Sequence, residues 1–155
     1  MYLILQQDEP DDYVIATGIK TSIREFIKRA AEELGLGITF TGEGKNEKGY
    51  LTDVDEKKFS MMAGEQYLEY IKTRIAEHHL HRKIPGVVEI DPEYFRPTEV
   101  DQLLGNSEKA RRQLGWTPEY DLQSLISEMI ESDIYLVKKD IFLKERGYQS
   151  LNYFE

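Results

Sequence analysis

Residues 87–122 read VVEIDPEYFRPTEVDQLLGNSEKARRQLGWTPEYDL. The opening VVEI, residues 87–90, is apolar and β-branched and predicts a strand. Pro97 is suited to the first position of a helix, which places Arg96 at its cap and Glu99 at its third position. Asn106 or Ser107 can cap a second, short helix over 107–114, closed by Gly115. Pro118 then disfavours helix at the residue before it. A strand running through a turn into helices sets the class expected of the whole chain, α/β with short strands and several helices.

The flanks extend the pattern. YVIAT (13–17) reads as a strand ended by Gly18. Ser22 and Glu25 have the spacing of a capping box, and Ile23, Phe26, Ile27, Ala30, Ala31 and Leu34 follow at helical spacing. A helix over 22–34 is expected, closed by Gly35. ITFTG (38–42) reads as the next strand, and the strand–helix–strand order predicts a parallel α/β unit. Residues 43–83 are polar at first and then carry Tyr67, Leu68, Ile71 and Ile75 on one stripe of a helix at 65–82. Beyond Pro118, Asp121 is a good cap for a long helix over 122–140, with Leu122, Leu125, Ile126, Met129, Ile130 and Val137 on one face. Residues 149–155 read as a tail.

Composition limits the function classes. A chain of 155 residues suggests one domain, and 40% hydrophobic with 32% charged residues is ordinary for a soluble protein. A net charge of −9 repels phosphate backbones and argues against a nucleic-acid partner. No apolar run approaches the roughly 20 residues a membrane span needs. The first residues lack the basic start and apolar run of a signal peptide. The absence of cysteine removes disulfide and thiolate metal chemistry and fits a cytoplasmic setting.

Arg96 and Glu99, three apart around one turn, can project to the same side. A guanidinium beside the free N–H groups of a helix start suits a diphosphate. A nearby carboxylate suits a ribose diol. Spacing alone gives more weight to a simpler reading, in which Glu99 stabilises its own helix and Arg96 pairs with a surface carboxylate. Two other patterns read as chance. Tyr135 and Lys139 have a tyrosine-x-x-x-lysine spacing without a cofactor fingerprint before them. His78 and His81 share a helix face but lack the further ligands of a zinc site, so a solvated or salt-bridged cluster is expected.

The stretches QQDEPDDYVIATG (6–18), S-x-R-E-F (22–26), residues 87–122 and EMIESDI (128–134) resemble the C-terminal part of the GDP-mannose 4,6-dehydratases. These are extended short-chain dehydrogenase/reductases of nucleotide-sugar metabolism. The likeness runs through residues 1–148 except for about 50–83, which reads as a variable helical insertion. It implies a C-terminal nucleotide-sugar-binding lobe over 1–148. It also implies that Arg96 holds the substrate diphosphate and Glu99 contacts the ribose, with GDP-mannose or GDP as the ligand.

The resemblance also implies what this stretch of chain does not carry. The family's other half, a Rossmann half, holds a glycine-rich turn for NADP and a catalytic serine or threonine, glutamate, tyrosine and lysine. Gly35 and Gly37 are spaced as the first pair of such a turn, but Phe40 stands where the third glycine belongs. Met1 falls where the family chain would already be past its catalytic tyrosine. In the complete family enzyme a hydride leaves C4 of mannose for NADP, water leaves C6, and the hydride returns to C6. Alone, these residues are expected to grip substrate without catalysis and to bind no cofactor. The Rossmann half would come from the same or a partner chain, and the uncovered apolar surface, including Tyr2, Leu3, Ile4 and Leu5, would drive homo-oligomerisation. The alternative is a stand-alone nucleotide-sugar-binding or oligomerisation module.

Overall fold

A computed structural model of the chain describes residues 2–80, 86–96 and 103–148. Among the described residues the α-helices are α1 (Tyr2–Leu5), α2 (Ile23–Glu33), α3 (Glu56–Met62), α4 (Leu68–His79), α5 (Glu108–Leu114) and α6 (Leu122–Glu145). The strands are β1 (Leu36–Thr41), β2 (Lys48–Val54) and β3 (Val88–Glu89), in one sheet of order β1-β2-β3.

Helix α2 starts where its cap chemistry dictates. Ser22 Oγ accepts the Glu25 N–H at 3.1 Å, satisfying one orphan donor. The Glu25 carboxylate takes the Arg29 guanidinium at 2.8 Å, one turn along. Gly35, at φ +75°, ends the helix in the left-handed region, and its N–H donates to the Glu32 carbonyl. The predicted apolar face is only partly covered, for Ile23 is 77% exposed.

The sheet corrects the parallel reading. β1 pairs antiparallel with β2, and β2 antiparallel with β3, joining Lys48 to Glu89 and Gly49 to Val88. The reason is local: the chain after β1 turns back within Gly42–Glu47 and has no crossover to a parallel neighbour. Gly42 holds that turn at φ +85°, and a Cβ there would lie 2.4 Å from the Asn46 carbonyl oxygen. Residues 13–17, expected as a strand, carry no regular secondary structure and join no strand among the described residues. β propensity describes a fit to a neighbouring strand, and none lies alongside.

The polar stretch after residue 43 was expected to carry one helix, and it holds β2 and α3 as well as α4. Its polar residues conceal a strand whose alternate side chains turn inward, Gly49 and Leu51 being buried. Leu51, Phe59, Leu68 and Ile75 form the buried centre of this half. Asp55 caps α3 by accepting the Lys58 N–H at 3.0 Å. A second buried pair, Ala110 and Ile126, lies in α5 and α6. Helix α2 bridges the two halves by packing on both β1 and α6.

The C-terminal helices follow the sequence closely. Asn106 Oδ1 accepts the Glu108 N–H, and Gly115 closes α5 in the left-handed region. Asp121 Oδ1 accepts from the Ser124 N–H at 2.8 Å and the Ser124 hydroxyl at 2.7 Å. These bonds hold its carboxyl below the ordinary value. Helix α6 continues to Glu145, beyond the expected end at 140. Leu125, Met129 and Val137 of its apolar face remain exposed.

Candidate functional site

Arg96 is delivered by β3 and the turn that follows it. Lys48 on β2 pairs with Glu89 on β3 at 2.8 Å, and the same Glu89 oxygen accepts the Gly86 N–H at 3.0 Å. The Lys48 hydrogen bond, then that of Gly86, holds the Glu89 carboxyl below its ordinary value. The same pairing raises Lys48. Past the strand, Asp91 Oδ1 accepts the Glu93 N–H at 2.9 Å, and the Asp91 carbonyl accepts the Tyr94 N–H at 3.2 Å. Phe95 then lies against the β1–β2 turn, where a Cβ on Gly44 would be 3.8 Å from its ring. Arg96 follows and is exposed.

A second arginine abuts the same turn. Arg24, in the first turn of α2, donates through Nε to Glu47 Oε1 at 2.8 Å and through a second guanidinium nitrogen to the same oxygen. Its guanidinium carbon lies 5.8 Å from the centre of the Phe40 ring. The turn Gly42–Glu47 therefore touches both Arg24 and the residue preceding Arg96. In the sequence, Arg24 stands out only as part of S-x-R-E-F. A cation in the first turn of a helix opposes the helix dipole, and that local conflict was the available signal.

Glu99 and the helix start at Pro97 lie outside the described residues, so the predicted pair is placed only through Arg96. The 65–82 helix is described as far as His79, and His81 too lies outside. His78 is half-buried and stacks on Tyr50, with ring centres 4.8 Å apart at 10°. Its Nδ1 is buried without a hydrogen-bond partner. This is a packing contact where a solvated or salt-bridged cluster was expected. No group of three His, Cys, Asp or Glu able to hold a metal occurs among the described residues. Tyr135 stands 69% exposed on α6, where it can shield no reacting centre.

The paired glycines do not form a dinucleotide turn. Gly35 and Gly37 fall where α2 runs into β1, at the C-terminal end of a helix. A pyrophosphate needs the opposite polarity, strand into helix N-terminus. A cleft of about 830 Å³ opens elsewhere, between residues 17–26 and 118–125, with Arg111 at its edge. Arg96 does not line it. Arg111 there donates to the Thr17 carbonyl at 3.1 Å and through Nε to the Ser107 hydroxyl at 3.2 Å. Lys109 pairs with Asp11 at 2.5 Å and donates to the Asp12 carbonyl. The segment 11–17 is thereby strapped to α5, with Ala16 close against Gly105.

These elements define a mixed α/β protein that presents an arginine-bearing turn at one corner of a small antiparallel sheet. Residues 1–129 match the family described as GDP-mannose 4,6 dehydratase, and the chain belongs to that family. It is 39% identical over 148 residues to GDP-mannose 4,6-dehydratase of Vibrio cholerae, covering 95% of this chain and 34% of that protein. It is 39% identical over 142 residues to GDP-mannose 4,6 dehydratase 2 of Caenorhabditis elegans, covering 90% and 29%. For GDP-mannose 4,6-dehydratase of Sinorhizobium fredii the identity is 40% over 134 residues, covering 86% and 30%. The chain thus spans about a third of the length of the curated relatives it matches. No helix among the described residues is long and apolar enough to cross a membrane.

Proposed function

We propose that this chain is the substrate-binding lobe of a cytoplasmic GDP-mannose 4,6-dehydratase, which converts GDP-mannose to GDP-4-keto-6-deoxymannose. Its task is to grip the GDP end of the substrate. Arg96 clamps the diphosphate with its planar fork of donors, and Glu99 accepts from the ribose diol. The observation that carries this reading is the turn after β3, which delivers an exposed Arg96 from a strand fixed by ladder and ion pair. Binding energy collected at the diphosphate holds the distant mannose carbon in place for reaction. Hydride chemistry belongs to NADP on the Rossmann half of such an enzyme, and the residues here supply none of it.

The surface left uncovered supports the finer reading of a C-terminal lobe. The strand-forming run 13–17 lacks a sheet partner among the described residues, Val14 and Ile15 are about half exposed, and Ile23 is exposed on α2. A lobe of an extended short-chain dehydrogenase/reductase has such a face because its Rossmann half covers it. The test of ligand class is calorimetric titration of the 155-residue chain with GDP, inorganic pyrophosphate and guanosine. GDP should bind, pyrophosphate more weakly, and guanosine least. Glu99→Gln should weaken GDP and leave pyrophosphate unchanged, because pyrophosphate carries no ribose. Equal binding of guanosine and GDP would remove the diphosphate clamp from the account.

A further inference from the structure

The stretch of chain that ends in Arg96 is held at two points. The first is Asp91, whose side-chain oxygen accepts the Glu93 N–H while its carbonyl accepts the Tyr94 N–H. These bonds close a turn around Pro92, whose ring fixes φ where such turns require it. The second is Phe95, seated against the β1–β2 turn at Gly44. The backbone leading into Arg96 is therefore set by a local acceptor on one side and, on the other, by a partly exposed ring whose tip meets the β1–β2 turn.

We infer that Asp91 is a positioning residue for Arg96, fixing through its turn the point from which the guanidinium reaches the substrate diphosphate. This rests on the reading of Arg96 as the diphosphate clamp. Asp91 touches no ligand in this role. Its charge works against it, since a carboxylate near an anion site repels the ligand. What the turn needs from position 91 is an oxygen acceptor, which asparagine also provides. The two contributions separate by substitution: alanine removes acceptor and charge, and asparagine removes the charge alone.

The experiment is calorimetric titration of GDP and inorganic pyrophosphate into the 155-residue chain and four variants. These are Asp91→Ala, Asp91→Asn, Arg96→Ala, and Asp91→Ala combined with Arg96→Ala. Asp91→Ala should weaken both ligands roughly 3- to 10-fold, the equivalent of one local hydrogen bond. Asp91→Asn should bind as tightly as wild type or tighter. The double variant should be no weaker than Arg96→Ala, because a residue acting only through Arg96 has nothing left to position. If Asp91→Ala unfolds the chain, Pro92→Gly loosens the same turn with the acceptor retained, and should weaken both ligands likewise.

Wild-type affinity in Asp91→Ala, beside clear loss in Arg96→Ala, would overturn the positioning role and leave the clamp standing. A further loss in the double variant beyond Arg96→Ala would show that Asp91 acts independently, and would equally overturn it. Wild-type affinity in Arg96→Ala would remove the clamp, and the positioning role with it.

Discussion

Phe59→Ala tests whether residues 43–79 are part of the fold or an appendage to it. Phe59 is 5% exposed, in the cluster with Leu51, Leu68 and Ile75. Truncation loses the transfer energy of the ring and leaves a cavity that β2, α3 and α4 can fill only in part. The expected cost is about 3–5 kcal/mol, a large share of the roughly 5–15 kcal/mol of a domain this size. With a urea slope near 2 kcal/mol/M, the midpoint should fall by roughly 1.5–2.5 M. The assay is urea unfolding followed by far-ultraviolet circular dichroism and by fluorescence of Trp116, the only tryptophan. Trp116 sits beside α5, in the half away from Phe59, and its N–H donates to the Ala110 carbonyl. Because α2 packs on both β1 and α6, the two probes should shift together. A shift in dichroism with the Trp116 transition unmoved would show that residues 43–79 fold as a separate unit.

Other outcomes follow from the surface and the charges. Asp11, Glu89 and Asp121 are held below their ordinary values by Lys109, Lys48 and the Ser124 donors respectively. Their contribution to stability is complete above the ordinary carboxylate values and is lost as pH falls through the lowered ones. Thermal melts should therefore fall between pH 6 and pH 3, and Asp121→Ala should flatten that fall. Lys48 and Lys72 are raised by Glu89 and Glu56, so their contribution is present below the ordinary lysine value and fades as pH climbs past it. The exposed apolar side chains of Tyr2, Leu5, Ile19 and Ile23 should drive self-association, and light scattering at millimolar protein should give a mass above the monomer. Incubation with GDP-mannose and NADP should yield no 4-keto product above background, and robust turnover would refute the division of labour proposed above.

Helices were legible because their signals are local. Ser22, Asn106 and Asp121 announce starts, Gly35 and Gly115 announce ends, and apolar spacing does the rest. The sheet was less legible because strand pairing is not local. YVIAT satisfies every preference of a strand and joins none among the described residues, whereas KGYLTDV looks polar and forms the central strand. Its inward positions include a glycine, which carries no hydropathy signal. The candidate Arg96 was named from the motif that surrounds it. Arg24 was not, because its neighbour Glu47 lies 23 residues away and only the hairpin turn brings them together. The stacking of His78 on Tyr50 is hidden from the sequence in the same way.

The most direct measurement of the central claim is the affinity of GDP for wild type, Arg96→Ala and Arg96→Lys, taken beside their melting temperatures. The account predicts a loss on Arg96→Ala approaching about 2 kcal/mol, the low end for a charged contact, since Arg96 is exposed. Arg96→Lys should recover only part of it, because an ammonium cannot make the forked contact. Melting temperatures should stay together, since an exposed arginine serves the ligand and not the core. Unchanged GDP affinity in Arg96→Ala with a sharp fall in melting temperature would contradict the account and make Arg96 a structural residue.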